Sequence, residues 1–460
     1  MVKFRRLLLG VLSFVLFVFL LGVISSFFLK EKIKQIIDKE IAVLTHDSYH
    51  ANFDGFDLNL FLLKASVQKF SVIPQETVST DSTFGSLHID KLDISKISFF
   101  SLLRKEKFPR FNMTVSGLKY VQSDSLYYIE VDKLSYDWRD SRISIQNMKY
   151  KSFVEQYKFA YEDPKHSDWM DLEIGDLTID KILLEELLQN KSIIAEHVTV
   201  NNTVFRNFKN QKIEIEHNIM PVLYEQIQGI PYSFTIENVL INNLSVYYQE
   251  LAKNGSDPGE IFFTEMYIES NHFTNVDTIH TQMNRLDFHG KLMGEGQIKS
   301  QLYFPVDTLY DHVKIQGTLG PLAMISLNKI LEPLLFVKIK DGTIQGMDFT
   351  ITGGREKANI NMCLLYQDLS VEVYKPNEDH QKHQNVFLSL LANNLVRKSN
   401  PKSGESPLRV NAEYERDPLH SSFNYLWKIY YSGLIETLGY TKSLQDKVKW
   451  VQDEIKHIKG

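Results

Sequence analysis

Apolar and polar residues alternate along much of this chain, but in several stretches the alternation skips one position. Residues 87–103 read LHIDKLDISKISFFSLL, and their regularly spaced apolar side chains are Leu87, Ile89, Leu92, Ile94 and Ile97. The gaps run two, three, two, three, whereas a half-buried strand keeps a period of two and an amphipathic helix needs three and four. A β-bulge explains the skip, because one extra residue bends the strand and returns the next side chain to the same face. A tight connection between two short strands explains it equally well.

The stretch has a copy 85 residues further along the chain. Residues 172–188, LEIGDLTIDKILLEELL, match it at eight of seventeen positions without a gap, including one lysine and a final pair of leucines. Shorter copies occupy residues 128–136 and 234–248. Such recurrence predicts stacked modules that together bury an apolar surface that no module buries alone. The equivalent residues of the later copies are Leu172, Ile174, Leu177, Ile179, Ile182, Ile236, Val239 and Ile241.

The pattern between residues 49 and 374 is typical of strands that are separated by turns rich in Asn, Asp, Gly and Pro. We therefore predict a mainly β protein, built on an elongated, repeat-built antiparallel β-sheet with a few helices. Residues 375–418 are polar and turn-rich around a short apolar helix, and residues 419–460 predict a helical C-terminus.

Local signals within this region predict one helix and two hairpins. The helix is expected to begin at Pro321 and to end near Pro333. The hairpin turns are expected at residues 341–342 and 367–368, because an Asp-Gly pair and a Gln-Asp pair each separate two alternating runs.

The N-terminus carries an uncharged apolar run of 23 residues, from Leu7 to Leu29. As a helix this run would span about 35 Å, which is enough to cross a bilayer. A cleaved signal peptide has a shorter apolar region and a small-x-small site, so we favour an uncleaved transmembrane anchor with a cytoplasmic N-terminus. Residues 30–48 follow as a predicted amphipathic helix, which either caps the sheet or continues the anchor away from the membrane.

Composition and motifs exclude several classes of protein. Hydrophobic residues make up 43% of the 460 residues and the net charge is −6, which fits a folded chain without a basic block for nucleic acid. Cys363 is the single cysteine, so no intramolecular disulfide is possible. The chain lacks the usual hydrolase, nucleotide-binding and zinc-protease motifs, and His380 and His383 lie in a polar stretch typical of a solvated loop. We therefore expect no metal, no cofactor and no enzymatic activity.

The chain resembles the AsmA-like family of bacterial envelope proteins in the order of its parts. An N-terminal anchor is followed by modules with the two-three spacing that end in paired leucines, and then by a strand, a helix and a hairpin. Residues 317–352, GTLGPLAMISLNKILEPLLFVKIKDGTIQGMDFTIT, carry the more specific part of the resemblance. The resemblance implies a single-pass inner-membrane protein whose main body is periplasmic and whose sheet folds into a groove. It further implies that the apolar groove binds phospholipid acyl chains and supports lipid transport or outer-membrane biogenesis.

Two functions therefore compete for the same residues. In the first, the repeated aliphatic side chains line a phospholipid groove. In the second, they fill a closed core, and the protein is a non-catalytic scaffold that binds an envelope protein partner through Tyr425, Trp427 and Tyr430. Burying acyl chains gains about 0.8 kcal/mol per CH₂ group and needs no catalytic residue, which suits the first function. For any single aliphatic residue, however, a place in a closed core is the more common role, and the sequence favours it.

Overall fold

The structure is a computed structural model of the chain. It describes residues 35, 38–41, 43, 48–59, 63–74, 85–96, 110–163, 167–213, 219–277, 282–307, 309–375, 383–384 and 396–439. The predicted anchor at residues 7–29 and the chain after residue 439 lie outside the described residues, as does Ile97. Within the described residues, no helix has the length and apolar character needed to cross a membrane.

Strands dominate the described chain, as predicted. They are β1 (Tyr49–Asn52), β2 (Gly55–Asn59), β3 (Lys64–Pro74), β4 (Ser86–Ser95), β5 (Asn112–Val121), β6 (Tyr127–Asp137), β7 (Arg142–Ser152), β8 (Trp169–Asp180), β9 (Ser192–Asn210), β10 (Ser233–Leu251), β11 (Gly259–Thr274), β12 (Met283–Leu292), β13 (Gly296–Pro305), β14 (Val313–Leu319), β15 (Leu322–Ala323), β16 (Val337–Gly353), β17 (Lys357–Lys375), β18 (His383–Gln384) and β19 (Val410–Glu415).

Helices are few and short. The α-helices are α1 (Gln156–Glu162), α2 (Leu184–Asn190), α3 (Leu223–Gln228), α4 (Asn328–Leu335) and α5 (Ser422–Thr437), and one 3₁₀ turn covers Met324–Leu327. The helix predicted from Pro321 begins later than expected, because Leu322 and Ala323 form β15. Its remainder is confirmed as the 3₁₀ turn followed by α4, with Pro333 inside α4. Helix α5 confirms the first part of the predicted helical C-terminus. Of the helix predicted at residues 30–48, Ile41 is helical and buried in the core under the first strands.

The strands form one open sheet in which nearly every strand pairs with its neighbour in sequence. All pairs are antiparallel except β9 and β10, which run parallel from Ser192/Ser233 to Asn210/Leu251. Three short strands, β2, β15 and β18, share an edge with β1, β14 and β19, so the nineteen strands occupy sixteen positions across the sheet. At the usual spacing between strands the sheet measures about 70 Å along its path. The prediction of a large, mainly antiparallel sheet is confirmed.

The parallel pair requires a crossover connection, since a parallel neighbour cannot be reached by a tight turn. Of the chain that connects these two strands, the structure describes residues 211–213 and 219–232, and the second part contains α3. The backbone N–H of Met220 donates to the carbonyl of Pro418 (2.8 Å), and the Ser422 hydroxyl donates to the carbonyl of Pro221 (3.1 Å). The crossover is therefore fastened to the start of α5, far from its own strands in sequence.

A row of bulges crosses the sheet at the positions where the sequence skips. Phe70 pairs with Ile89 and Gln68 with Lys91, so Lys69 and Asp90 fall between the paired residues of both strands. The same step recurs in every pair up to β10 and forms a kink row, whose members are Lys69, Asp90, Gly117, Asp132, Asn147, Gly175, Asn202 and Asn243. The backbone is left-handed at five of them: Lys69, Gly117, Asn147, Asn202 and Asn243. Because every strand gains a residue in the same row, the register is kept and the apolar face is continuous across the kink.

Side chains in the kink row hold its members together. Asn147 Nδ2 donates to Asp132 Oδ2 (2.8 Å), and Asn243 Nδ2 donates to Asn202 Oδ1 (2.8 Å). Asn and Gly tolerate a left-handed backbone better than other residues, which explains why these types mark the skip.

The two predicted hairpins are wrong. Asp341 and Gly342 lie inside β16, and Gln367 and Asp368 lie inside β17; these two long strands pair from Val337–Val373 to Gly353–Ala358. Register shifts occur beside Asp341, and Asp368 has a φ of 57°, so both pairs mark bulges within continuous strands. A turn-forming pair fits a bulge as well as a hairpin, because both need a left-handed residue. The turn that joins β16 to β17 lies at residues 354–356.

Three separate hydrophobic clusters support the sheet. The first lies under β1 to β5 and includes Val72 and Ile94, and the second lies under β14 to β19 with α5. Cys363 is buried in β17, between Met362 and Leu364 of the second cluster, but it is not itself a member of any of the three clusters. The third joins α3 to β12 and β13 around Tyr224 and Phe304. Strands β6 to β10 contribute no buried residue to any of the three clusters.

Replacing Gly117 by alanine is expected to destabilise the fold by about 2 kcal/mol. Its φ is +62°, and a Cβ atom would lie 2.0 Å from Asp90 Oδ2 and 2.9 Å from Asp90 Cβ. Gly346→Ala is the matched control, because its φ is not left-handed and the nearest atom would be 3.6 Å away. Chemical denaturation of both variants measures the difference, and equal effects would contradict the structural role of the kink row.

Candidate functional site

The side chains that point to one side of the sheet form four rows that run across the strands. Each row follows the paired residues of successive strands. Row A is Ala65, Ile94, Met113, Tyr136, Ile143, Ile179, Val198, Val239 and Ser270; row B is Val67, Leu92, Val115, Leu134, Ile145, Leu177, Val200, Ile241, Ile268 and Phe288; row C is Phe70, Ile89, Leu118, Val131, Met148, Ile174, Thr203, Leu244 and Met266; row D is Val72, Leu87, Tyr120, Ile129, Tyr150, Leu172, Phe205, Val246, Phe263 and Leu292. The kink row separates rows A and B from rows C and D.

The two copies of the opening motif occupy equivalent places in these rows. Leu87, Ile89, Leu92 and Ile94 are the β4 members of rows D, C, B and A, and Leu172, Ile174, Leu177 and Ile179 are the β8 members in the same order. The structure thus brings the predicted residues of both copies onto one face. Ile182 is buried just beyond row A, and Val239 and Ile241 belong to rows A and B. Ile236 lies earlier on β10, and a second bulge at Glu237 separates it from Val239.

Burial divides this face into a closed part and an open part. On β3 and β4 all eight row members are buried. On β6 to β11 the rows contain 24 positions, of which 22 are apolar or aromatic, the exceptions being Thr203 and Ser270. All of these 24 except Val131, Thr203 and Ser270 are only half-buried. We call rows A–D on β6 to β11 the open apolar face.

The opposite side of the same strands is polar. Ser135, Ser144, Thr178 and Thr199 lie in one paired row on β6 to β9. Ion pairs join other strands on this side, among them Lys119–Glu130 (2.7 Å) and Lys151–Glu173 (2.7 Å). The second of these ion pairs lowers the pKa of the Glu173 carboxyl, chiefly through the hydrogen bond from Lys151. One side of the sheet is therefore polar and suited to contact with water, whereas the other side is apolar and only partly covered.

Short helices border the open apolar face along its two edges. At the edge beyond row D, the Tyr127 ring lies 5.2 Å from Phe159 of α1, and its hydroxyl accepts a hydrogen bond from the N–H of Met170 (2.9 Å). At the edge beyond row A, α2 follows β8, and Leu184 packs against the first hydrophobic cluster. We call these the α1 edge and the α2 edge.

One end of the face is closed by the C-terminal elements. Phe288, the last member of row B, packs against the α3 cluster. Tyr248 of β10 stacks on Phe423 of α5 with 4.8 Å between ring centroids. Tyr248, Glu250, Ile261, Phe423 and Trp427 line a shallow pocket at this junction. The closed cores at both ends leave the middle strands as the accessible stretch.

The three aromatic residues predicted to bind a protein partner lie on two sides of α5. The Tyr430 ring packs edge-on against Phe349 (4.9 Å), and burial raises the pKa of its hydroxyl. The Tyr425 hydroxyl donates to the carbonyl of Gly354 (3.1 Å). Both residues contribute to the second hydrophobic cluster, whereas Trp427 lines the pocket beside Tyr248.

Strands β7 and β9 also contribute residues to the open apolar face, between the strands of the sequence motif, although the motif did not predict them. Ile143, Ile145, Met148 and Tyr150 on β7 have gaps of two, three and two, as do Val198, Val200, Thr203 and Phe205 on β9. Gaps of two, three and two read the same from either end of a strand. The apolar residues of two antiparallel neighbours therefore pair with each other without a shift in register. The signal was available in the sequence, with Asn147 and Asn202 at the skips.

A buried carboxylate at the α1 edge makes the stability of the protein depend on pH. Burial raises the pKa of Asp168, with a further contribution from the nearby charge of Glu250, while Lys209 and Asn207 act in the opposite direction. A pKa that is higher in the folded than in the unfolded state means that folding favours the protonated form. The contribution of Asp168 to stability is therefore most favourable below the ordinary value of 3.8 and is lost as pH rises through the folded-state pKa.

Asp168→Asn is accordingly expected to raise the thermal unfolding midpoint at neutral pH, because the amide carries no charge to bury. The two proteins should unfold at similar temperatures well below pH 3.8, where the aspartate is protonated. Glu155→Gln, an exposed carboxylate before α1, is the control and should leave the midpoint unchanged. An Asp168→Asn protein that is less stable than the wild type at neutral pH would contradict this assignment.

Fold and site together define an amphipathic, open-faced β-sheet protein. Within the described residues, no group of three or more His, Cys, Asp or Glu side chains is arranged to hold a metal ion. No protein-family model matches the chain, and no curated protein is significantly similar to it in sequence. The resemblance to the AsmA-like family therefore stays a prediction.

Proposed function

We propose that this protein binds phospholipid acyl chains on the open apolar face and supports lipid transport in the cell envelope. One observation carries the proposal: 22 of 24 adjacent positions on β6 to β11 are apolar, and most of them are half-buried. A soluble protein rarely exposes a continuous apolar surface of this size without a ligand or a partner for it.

The size of the face suits an acyl chain. Six strands at the usual spacing measure about 24 Å across, and the hydrocarbon part of one bilayer leaflet is about 15 Å thick. Each CH₂ group transferred onto the face gains about 0.8 kcal/mol relative to water. Binding by this means needs no catalytic group, so the protein acts as a carrier rather than an enzyme.

The cellular setting follows the resemblance of the sequence. Residues 7–29 would anchor the chain in a bacterial inner membrane, and the sheet would lie in the periplasm as a groove that supports outer-membrane biogenesis. In that arrangement the rows run along the sheet, so a bound chain can move from strand to strand without crossing the polar side.

The proposal is tested by the lipid content of the purified protein. The full chain, extracted from membranes with detergent and exchanged into a lipid-free buffer, is expected to retain phospholipid that native mass spectrometry detects. Leu92→Ser changes a buried row member and Val200→Ser a half-buried one; only the second should reduce the retained lipid in the fraction that remains folded. A lipid-free protein that also fails to extract labelled phospholipid from vesicles would refute the proposal.

A second candidate is the scaffold with a protein partner. An exposed apolar patch at the C-terminal end favours it: Ile219, Met220, Leu223, Leu419 and Phe423 are exposed where the crossover meets the start of α5. The double variant Ile219→Ser/Phe423→Ser should then lose a partner in affinity purification while lipid retention is unchanged. Equal partner recovery with the wild type would refute this candidate.

A further inference from the structure

Three side chains form a cationic cluster at the α2 edge of the open apolar face. The guanidinium carbons of Arg110 and Arg139 lie 5.3 Å and 5.7 Å from the centroid of the Trp138 ring. Both arginines are exposed, and neither forms an ion pair within the described part of the chain. Two guanidinium groups beside one indole concentrate positive charge and hydrogen-bond donors in a small space.

The indole of Trp138 lacks a hydrogen-bond acceptor. Its Nε1 atom is buried, and no acceptor lies within reach in the structure, although Trp138 as a whole is half-buried. The other described indole donor at the sheet, Trp169 Nε1, bonds to the carbonyl of Val154 (3.2 Å). A buried donor without a partner costs free energy and indicates a group that binds there.

The cluster directly adjoins the apolar rows. Trp138 lies two residues after Tyr136, the β6 member of row A, and Arg110 precedes Phe111, whose ring contacts Tyr136 edge-on (5.8 Å). A ligand with its chains on rows A and B would therefore present its polar end to Arg110, Trp138 and Arg139. An amphiphile requires this arrangement, in which a polar binding site directly adjoins an apolar surface.

Charges elsewhere along the two edges favour an anion at this point. Lys96 and Lys181, which directly follow β4 and β8 and have left-handed backbones, are exposed at the same edge. The nearest carboxylate, Asp137, accepts hydrogen bonds from Asn112 (2.7 Å) and from the N–H of Arg139 (2.8 Å), and these bonds help to lower its pKa. Asp140 is also exposed at this edge, and Asp180 there is paired with Arg142. The α1 edge carries Asp168 and Glu250, with Lys209 beside Asp168.

We propose that Arg110, Trp138 and Arg139 bind the phosphate of a phospholipid whose acyl chains lie on the open apolar face. The phosphodiester oxygens accept hydrogen bonds from the two guanidinium groups and from Trp138 Nε1, which satisfies the unpaired indole donor. The inference rests on the proposed function and specifies which lipids the face selects. Phosphate-bearing lipids are preferred over neutral diacylglycerols that have the same chains.

The test compares the binding of fluorescent phosphatidylglycerol and of a diacylglycerol with identical chains to the full-length protein in detergent. The wild type is expected to prefer the phospholipid by roughly tenfold or more, in line with charge-assisted hydrogen bonds. Arg110→Gln/Arg139→Gln should remove this preference while diacylglycerol binding stays the same. Trp138→Phe, which keeps the ring and loses the N–H, should reduce the preference by a smaller factor.

Arg285→Gln is the matched control. Arg285 is also exposed and lies over an aromatic ring, Tyr303 at 5.7 Å, but it lies on the polar side of the sheet. This variant should keep the full preference, and unfolding midpoints of all variants establish that they are folded. Inorganic phosphate, which lacks acyl chains, should compete only weakly with the lipid.

The outcomes separate the two proposals. Variants that keep the wild-type preference would overturn the phosphate site and leave lipid binding on the face intact. Competition by inorganic phosphate as strong as that by phospholipid would show a free-phosphate site and overturn the lipid assignment. A wild type that binds neither lipid would overturn both proposals.

Discussion

Aspartate at both Leu134 and Leu177 is expected to abolish phospholipid binding while the protein stays folded. Both residues belong to row B, on β6 and β8, with Ile145 between them. In the free protein both are half-buried, so the new carboxylates reach water. Leu134 also packs against the first hydrophobic cluster, so its substitution costs some stability, which unfolding midpoints measure. With an acyl chain on the face, the same carboxylates would be desolvated without a partner, which costs several kcal/mol. We expect an affinity loss of at least roughly a hundredfold, or about 2.7 kcal/mol.

The control for this variant lies one residue further along each strand. Ser135→Asp/Thr178→Asp adds the same two charges to the polar side of the same strands. It should bind phospholipid as the wild type does, and unfolding midpoints establish that both double variants are folded under the binding conditions. If the two double variants lose lipid to the same extent, net charge rather than the face controls binding, and the account fails.

The same substitution in the two copies of the motif should have opposite consequences. Leu92 and Leu177 are the β4 and β8 members of row B, but Leu92 is 4% exposed in the first hydrophobic cluster. Leu92→Ala should therefore cost about 3 kcal/mol of stability, since it leaves a cavity in a packed core. Leu177→Ala should cost about 1 kcal/mol, since water already reaches the site. The lipid affinity should fall only for Leu177→Ala.

Chemical denaturation and vesicle extraction measure the two effects in parallel. Leu102 and Leu187, the next matching pair of leucines, are unsuitable because residue 102 lies outside the described residues. Equal stability losses at residues 92 and 177 would mean that both copies fill a closed core. That result would favour the scaffold over the lipid carrier.

The skip of three in the sequence predicted the face correctly, because a bulge in each strand restores the inward direction of the side chains. Val131 and Leu134 on β6 and Ile174 and Leu177 on β8 flank the kink row in the same manner. The Asn, Asp or Gly at the skip was the additional signal, and it would also have identified β7 and β9. The matching lysines, Lys96 and Lys181, share a left-handed backbone where their strands end.

Local sequence did not separate a bulge from a hairpin at residues 341–342 and 367–368. Both structures need a left-handed residue, and only the long pairing of β16 with β17 decides between them. Local sequence also did not predict which copy of the motif is covered. Leu92 is buried in a cluster that also includes Tyr49 and Phe53 from the start of the described chain, and such a cluster depends on the whole fold. The cluster around Trp138 was missed for the same reason, since Arg110 and Trp138 meet only across β5 and β6.

A scan of photo-crosslinking residues along β8, one position at a time, tests the central claim most directly. In vesicle-extraction conditions, phospholipid adducts are expected at residues 172, 174, 177 and 179, and not at 173, 176, 178 and 180. The period of two should shift its phase across Gly175, where the kink row crosses the strand. Adducts that keep an unbroken period of two through Gly175, that appear equally on both sides, or that are absent throughout would contradict the account.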